Sequence, residues 1–174
     1  DDHFNTVIYD GNNDATRTFD VGFVSDWSWF KARNQSGYGY QLYDSSRGVQ
    51  KKLVSNATSA EGTNSEGVLD FDDGGTLLKI GTDAFLNESG TTMVIWNWKA
   101  NGGTTSSNTD GSETTTVQAN TTAGFSIVLY TGTGSTDTFG HGLGAVPKWF
   151  FTKTRSHTGD WIVYHAGNTS APQT

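Results

Sequence analysis

Three carboxylates, Asp70, Asp72 and Asp73, crowd into the run Leu69-Asp-Phe-Asp-Asp-Gly-Gly-Thr76. Clustered oxygen donors near a tight turn are what a hard cation such as Ca²⁺ asks for. The spacing is not that of an EF-hand loop, because no Glu closes it. Asp and Gly are also the residues that tolerate the positive φ of a hairpin, so a turn explains the same cluster without an ion. The three aspartates are the chain's calcium candidate, and the turn is the preferred explanation.

Glycoside hydrolysis needs two carboxylates flanking one bond, and the sandwich-fold glucanases carry Glu-x-Asp-x-x-Glu on one strand. Here the four glutamates are Glu61, Glu66, Glu88 and Glu113, none so arranged. The four histidines, 3, 141, 157 and 165, show no His-x-x-x-His spacing. No Gly-x-Ser-x-Gly elbow, phosphate-binding loop or dinucleotide fingerprint occurs. The expectation is a protein that is not an enzyme, with no catalytic residue and no cofactor. Asp44 and Arg47, in Tyr43-Asp-Ser-Ser-Arg-Gly48, read as a local ion pair that pins a turn; exposed pairs of that kind contribute below about 1 kcal/mol.

Rings offer a different chemistry. Trp96 and Trp98 share a strand face with Val94, and Trp27 and Trp29 share a face of an earlier strand. Such pairs can stack on sugars or can be the core face of sandwich strands; packing is preferred. Tyr38 and Tyr40, in a Gly-flanked segment, are better surface rings. With Glu61 and Asn64, from the polar stretch Ala57 to Gly67, they form the ligand-binding candidates, since binding residues concentrate on loops.

The elements that would position these residues are strands. Only 33% of the 174 residues are apolar, but 13% are aromatic, including six Trp and ten Phe, so a core is available from large rings. Gly, Thr, Ser and Asn fill much of the rest, as in strands and turns. Period-two patterning predicts strands at 4–10, 17–20, 27–33, 39–43, 49–54, 68–71, 76–80, 92–98, 114–118, 125–130, 148–154 and 161–164. The stretch 57–67 reads as a polar loop or at most a short helical turn, and no segment has sustained helical periodicity. Many short strands with Gly-rich turns predict an all-β antiparallel sandwich. A net charge of −7 argues against nucleic acid or an anionic membrane as partner. With no Cys there is no disulfide framework, and no apolar run is long enough for a membrane-spanning helix.

The chain also repeats itself. Phe4-Asn-Thr-Val-Ile-Tyr-Asp-Gly11 matches Phe125-Ser-Ile-Val-Leu-Tyr-Thr-Gly132, and Trp27-Ser-Trp-Phe-Lys-Ala-Arg33 matches Trp149-Phe-Phe-Thr-Lys-Thr-Arg155. Thr18-Phe19 meets Thr138-Phe139, Gly37 meets Gly159, and Tyr43 meets Tyr164. His141 faces Val21, which argues against a catalytic histidine there. The expected organisation is a complete module over 1–99, a Gly/Ser/Thr/Asn-rich linker over 100–123 with a strand near 113–118, and a partial second copy over 124–174. The second copy lacks counterparts of Val68 to Trp98, from which the sequence is expected to be a piece of a longer array, the alternative being a natural terminus with the short segment packed on the first copy.

Trp29-Phe-Lys-Ala-Arg-Asn34, Tyr43-Asp-Ser-Ser-Arg-Gly48, Trp96-Asn-Trp-Lys-Ala-Asn-Gly-Gly103, Thr122-Ala-Gly-Phe-Ser-Ile-Val128, Gly140-His-Gly-Leu-Gly-Ala-Val-Pro147 and Trp161-Ile-Val-Tyr-His165, together with the opening Phe4 to Gly11 run, cover nearly the whole chain. The set resembles a concanavalin A-like (jelly-roll) β-sandwich module repeated in marine bacteriophage virion and tail-fibre-like proteins. The resemblance implies a structural virion component (tail fibre, appendage or capsid-surface protein) located on the extracellular particle. Its expected partners are other virion proteins and a host-surface glycan recognised as an adhesin would. A homo-oligomer is expected, fibres commonly being trimers, although no residue pattern here encodes one. The alternative is a secreted or cell-surface bacterial carbohydrate-binding module, followed by a hydrolase domain on the same fold.

Overall fold

The computed structural model describes residues 2–168. Fourteen strands and one helical turn occur among them, in the order β1 (Phe4–Asp10), β2 (Arg17–Asp20), β3 (Trp27–Ala32), β4 (Gln41–Asp44), β5 (Lys51–Val54), β6 (Gly62–Thr63), β7 (Val68–Asp70), β8 (Leu77–Ile80), α1 (Ala84–Asn87), β9 (Thr92–Trp98), β10 (Ser106–Asn108), β11 (Thr115–Asn120), β12 (Phe125–Leu129), β13 (Trp149–Thr152) and β14 (Ile162–His165). Each of the twelve expected strands is present, with ends shifted by a few residues at most. Two strands are additional. Gly62–Thr63 pairs with Lys51–Lys52 inside the stretch read as a loop, and Ser106–Asn108 pairs with β11 inside the stretch read as a linker. Both are defined by the partner strand, not by local propensity, so neither shows as a pattern of its own. The turn α1 is too short for periodicity; the Asp83 side chain caps it by accepting from the Phe85 amide.

A six-stranded antiparallel sheet, β1-β9-β3-β4-β5-β6, lies over a three-stranded antiparallel sheet, β2-β8-β7. Alternation sends Tyr9, Phe30, Ala32, Tyr43, Met93 and Ile95 from the larger sheet into a core shared with Phe19, Leu78, Ile80 and Val68 from the smaller one. The fold is therefore all-β, with layers packed as in a sandwich. The strand ends are fixed by close approaches. A Cβ on Gly11 would lie 2.0 Å from the Glu88 carbonyl oxygen, and the Gly11 amide donates to the Thr91 carbonyl, so only glycine closes this end of β1.

The opposite face of the larger sheet is just as apolar. Register places Trp27 opposite Trp98 and Trp29 opposite Trp96, so the two tryptophan pairs of the sequence share one face. That face is not the sandwich core, where the packing explanation had placed them. It is covered by the β10-β11-β12 sheet and the β13-β14 hairpin, through a second cluster of Trp27, Leu42, Leu53, Ala100 and Ile127 with Trp29, Trp98, Phe125, Phe151 and Trp161 around it.

A buried carboxylate fixes the run that leads out of β9 against the start of β3 and the end of β4. Asp26 is fully buried, and its oxygens accept from the amides of Ala100, Gly102 and Gly103 at 2.7, 2.8 and 2.6 Å and from the Ser45 hydroxyl at 2.7 Å. Four donors fill the four lone-pair sites of a carboxylate. Gly102 and Gly103 both take positive φ, 61° and 77°, which aims their amides inward. The Gly-rich run after β9 is thus an ordered clamp where a linker was expected.

Candidate functional site

Glu61, one of the expected binding residues, lies at a junction of charges. Arg47 donates to it from Nη1 at 3.1 Å, and Arg155 reaches it with both Nε and Nη2 at 2.9 Å. Arg47 also bonds Asp44 through Nε and the Leu42 carbonyl through Nη2. The Asp44–Arg47 pair is therefore real, but it is buried, with side chains only 3% and 1% exposed, so the small contribution of an exposed pair does not apply. Burial pushes the Glu61 carboxyl up, and the guanidiniums of Arg155 and Arg47 more than offset it, leaving its pKa below the usual glutamate value. An anion held this way has no proton to donate, and both oxygens are occupied.

The remaining expected residues do not converge on Glu61. The Tyr38 hydroxyl donates to Glu88 Oε2 at 2.5 Å, and its ring packs on Phe85 at 4.8 Å. Tyr40 sits on the other face, edge-on to Trp29 at 6.1 Å with the Lys31 ammonium over its ring. Asn64 donates to Asp83 Oδ2 at 2.6 Å and accepts from the Glu66 amide. Asp70 accepts the Asp72 amide, and Asp73 pairs with Lys79 at 3.1 Å. The Asp-Gly-Gly cluster is accordingly a turn, with Gly74 and Gly75 at φ of 88° and 102°. Among the described residues no group of three His, Cys, Asp or Glu side chains is placed to hold a metal.

The structure instead gathers rings that the sequence left apart. Trp29, Trp149, Phe151 and Trp161, with Leu42, Ser55 and Val163, line a cleft of about 210 Å³ between the larger sheet and the β13-β14 hairpin. Ser55 and Trp161 also border an adjoining groove that includes Asn56, Thr58, Asp160 and Ile162. The cleft is held open by directed bonds. The Trp161 indole donates to the Val54 carbonyl at 3.0 Å, the Gly159 amide and the Lys153 ammonium both donate to the Thr58 carbonyl, and the Glu61 amide donates to the Arg155 carbonyl. Trp29 contributes a buried indole N–H with no hydrogen-bond partner. Rings beside hydroxyl and amide groups suit a ligand with alternating apolar and polar faces, such as a saccharide. The repeat could have pointed to Trp149 and Phe151, as the counterparts of Trp27 and Trp29, but nothing local signals that Trp161 closes over Val54.

A family model described as "Domain of unknown function (DUF7483)" matches residues 1–174, so the chain belongs to that family. No curated protein and no solved structure matches it.

Proposed function

We propose that this chain, as a member of a family to which no activity is assigned, is a non-enzymatic structural module of a tandem β-sandwich array. We place that array on a bacteriophage virion as a fibre, appendage or capsid-surface component, with a glycan-binding role in host recognition. The observation that carries the tandem reading is one of register. In the β3-β4 hairpin Trp27, Ser28, Trp29 and Phe30 pair with Asp44, Tyr43, Leu42 and Gln41. In the β13-β14 hairpin Trp149, Phe150, Phe151 and Thr152 pair with His165, Tyr164, Val163 and Ile162. These are the same four pairs that the sequence repeat aligns, made again without a slip. Because a one-residue slip would turn every side chain to the other face, a shared register supports a shared module.

The six-over-three layering with Greek-key-like return of β9 between β1 and β3 supports a jelly-roll, concanavalin A-like assignment. The acidic, Thr- and Gly-rich composition suits a soluble particle surface that resists nonspecific adhesion. Assembly with other virion proteins, and a homo-oligomer of the trimeric kind common in fibres, belong to the same proposal. Immunogold labelling of purified phage particles and of host envelopes with an antibody to this chain tests it: decorated particles are expected, and decorated envelopes with bare particles would refute it. The aromatic cleft favours a second reading, a bacterial cell-surface or secreted carbohydrate-binding module, which that outcome would support.

A further inference from the structure

The run that Asp26 holds contains the only Asn-Gly step in the chain, Asn101-Gly102. In such a step the glycine nitrogen can attack the side-chain carbonyl carbon of the asparagine, because no Cβ stands in the way and glycine reaches the backbone angles required. The bond that forms joins Gly102 N to Asn101 Cγ, and the bond that breaks joins Asn101 Cγ to Nδ2. The departing nitrogen takes up the Gly102 amide proton and leaves as ammonia. Water then opens the five-membered imide at either carbonyl and leaves aspartate or isoaspartate at position 101. Water is consumed and ammonia released, and no other reactant takes part. Asn101 and Gly102 are both exposed, so water reaches the ring.

The native fold withholds both reacting groups. The Gly102 N–H donates to Asp26 Oδ2 at 2.8 Å, beside the Ala100 amide on the same oxygen at 2.7 Å and the Gly103 amide on the other at 2.6 Å. A bond from an amide to a fixed anion is among the stronger ones. It holds the very proton that the attack must release, and removing that proton would set a second negative charge against the carboxylate. Asn101 is tied as well. Its Nδ2 donates to the Thr104 carbonyl at 2.9 Å, and the Thr104 amide donates back to the Asn101 carbonyl at 3.2 Å. Asp26 cannot follow the run outward, since it is fully buried, its amide donates to the Trp98 carbonyl and its carbonyl accepts from the Ser45 amide.

We propose that Asn101 is a self-modification site gated by Asp26. With the clamp closed the step is silent. When the run lifts off Asp26, Gly102 is free to close on Asn101, and the product does not reset. Isoaspartate carries the main chain through the side-chain carbonyl and lengthens it by a methylene, so the Gly102 and Gly103 amides no longer both meet Asp26. Aspartate sets a second carboxylate beside the first. A transient opening of the run that leaves β9 is thereby made permanent. The proposal is independent of the tandem reading and of any ligand.

The test uses the full chain in a mildly alkaline buffer, with conversion at position 101 followed by peptide mapping and by ammonia release. Folded wild type should convert about tenfold or more slowly than the same chain in urea, in step with the protection of its Gly102 amide against exchange. This comparison needs no variant and holds whether or not Asp26→Asn folds. Asp26→Asn should convert about tenfold faster than folded wild type, because the open form is more populated. Leu78→Ala empties a fully buried place on β8 without touching the clamp and should stay near the wild-type rate, which separates release of the run from general loss of stability. Converted chain, isolated by its added negative charge, should exchange its Gly102 and Gly103 amides about tenfold faster than unconverted chain. Equal rates in the folded and the urea-unfolded chain, Asp26→Asn no faster than wild type, Leu78→Ala as fast as Asp26→Asn, or converted chain with native exchange at both glycines overturns the proposal.

Discussion

Replacing Asp26 by asparagine keeps the shape of the side chain and removes its charge. In the native fold the two oxygens receive four donors, three of them backbone amides of the run Ala100 to Gly103. An asparagine can turn its single oxygen to two of these donors: turned to Gly103 and Ser45, its amide nitrogen meets the Ala100 and Gly102 amides hydrogen against hydrogen, and turned the other way it meets the Gly103 amide so, the Ser45 hydroxyl being able to rotate and accept. A hydrogen bond to a charged acceptor is worth about 1.5–3 kcal/mol net. Gly102 and Gly103 are exposed enough for water to replace part of that loss, whereas Ala100 is 4% exposed and its amide stays dry. The expected cost of Asp26→Asn is about 2–4 kcal/mol, and of Asp26→Ala slightly more, because every donor is then orphaned. With a urea slope of about 2 kcal/mol/M, Asp26→Asn lowers the unfolding midpoint by about 1–2 M. Amide exchange at Gly102 and Gly103 should rise in parallel. Asp20→Asn is the control, since Asp20 accepts one exposed turn amide, that of Gly22; its effect should stay within about 0.5 kcal/mol. A midpoint for Asp26→Asn within about 0.3 M of wild type would refute the clamp on the Ala100 to Gly103 run.

The Glu61 carboxyl has a folded pKa below its ordinary value, so its contribution to stability is present above the ordinary glutamate range and is lost as pH falls through the folded value. Glu61→Gln should therefore be less stable than wild type near neutral pH, and the two urea midpoints should converge as pH falls through the folded value. Tyr9→Phe removes a buried hydroxyl that donates to the Leu86 carbonyl and should cost about 1–2 kcal/mol in the same assay. A chelator should leave the thermal transition unchanged, because Asp70 and Asp73 are already engaged by the Asp72 amide and by Lys79; a fall in the midpoint on chelation would return calcium to the Asp70–Asp73 turn.

Much of this protein was legible from residue order. Alternation located β1, β2 and β9 to the residue and the other expected strands nearly so, because a strand with one wet and one dry side writes its period into the chain. The Asp73-Gly74-Gly75 turn and the Asp44–Arg47 pair were readable for a similar reason, each being a contact between near neighbours. Alternation does not say which face meets which layer. On β3 and β9 both faces are apolar, Phe30, Ala32, Met93 and Ile95 on one and Trp27, Trp29, Val94, Trp96 and Trp98 on the other. Either could have been the sandwich core. Only the assembled sheets decided that the smaller residues face β2-β8-β7 and that Trp27, Trp29 and Trp98 meet the C-terminal layer. Glu61 went the same way. In sequence it is an acid in a polar stretch, a plausible ligand contact; in the fold it joins Arg47 to Arg155, residues that only tertiary packing brings to one carboxylate. What short-range spacing encodes, the sequence determined; which of two equally apolar faces is covered, and by what, depends on contacts between distant strands, and those exist only once the chain has folded.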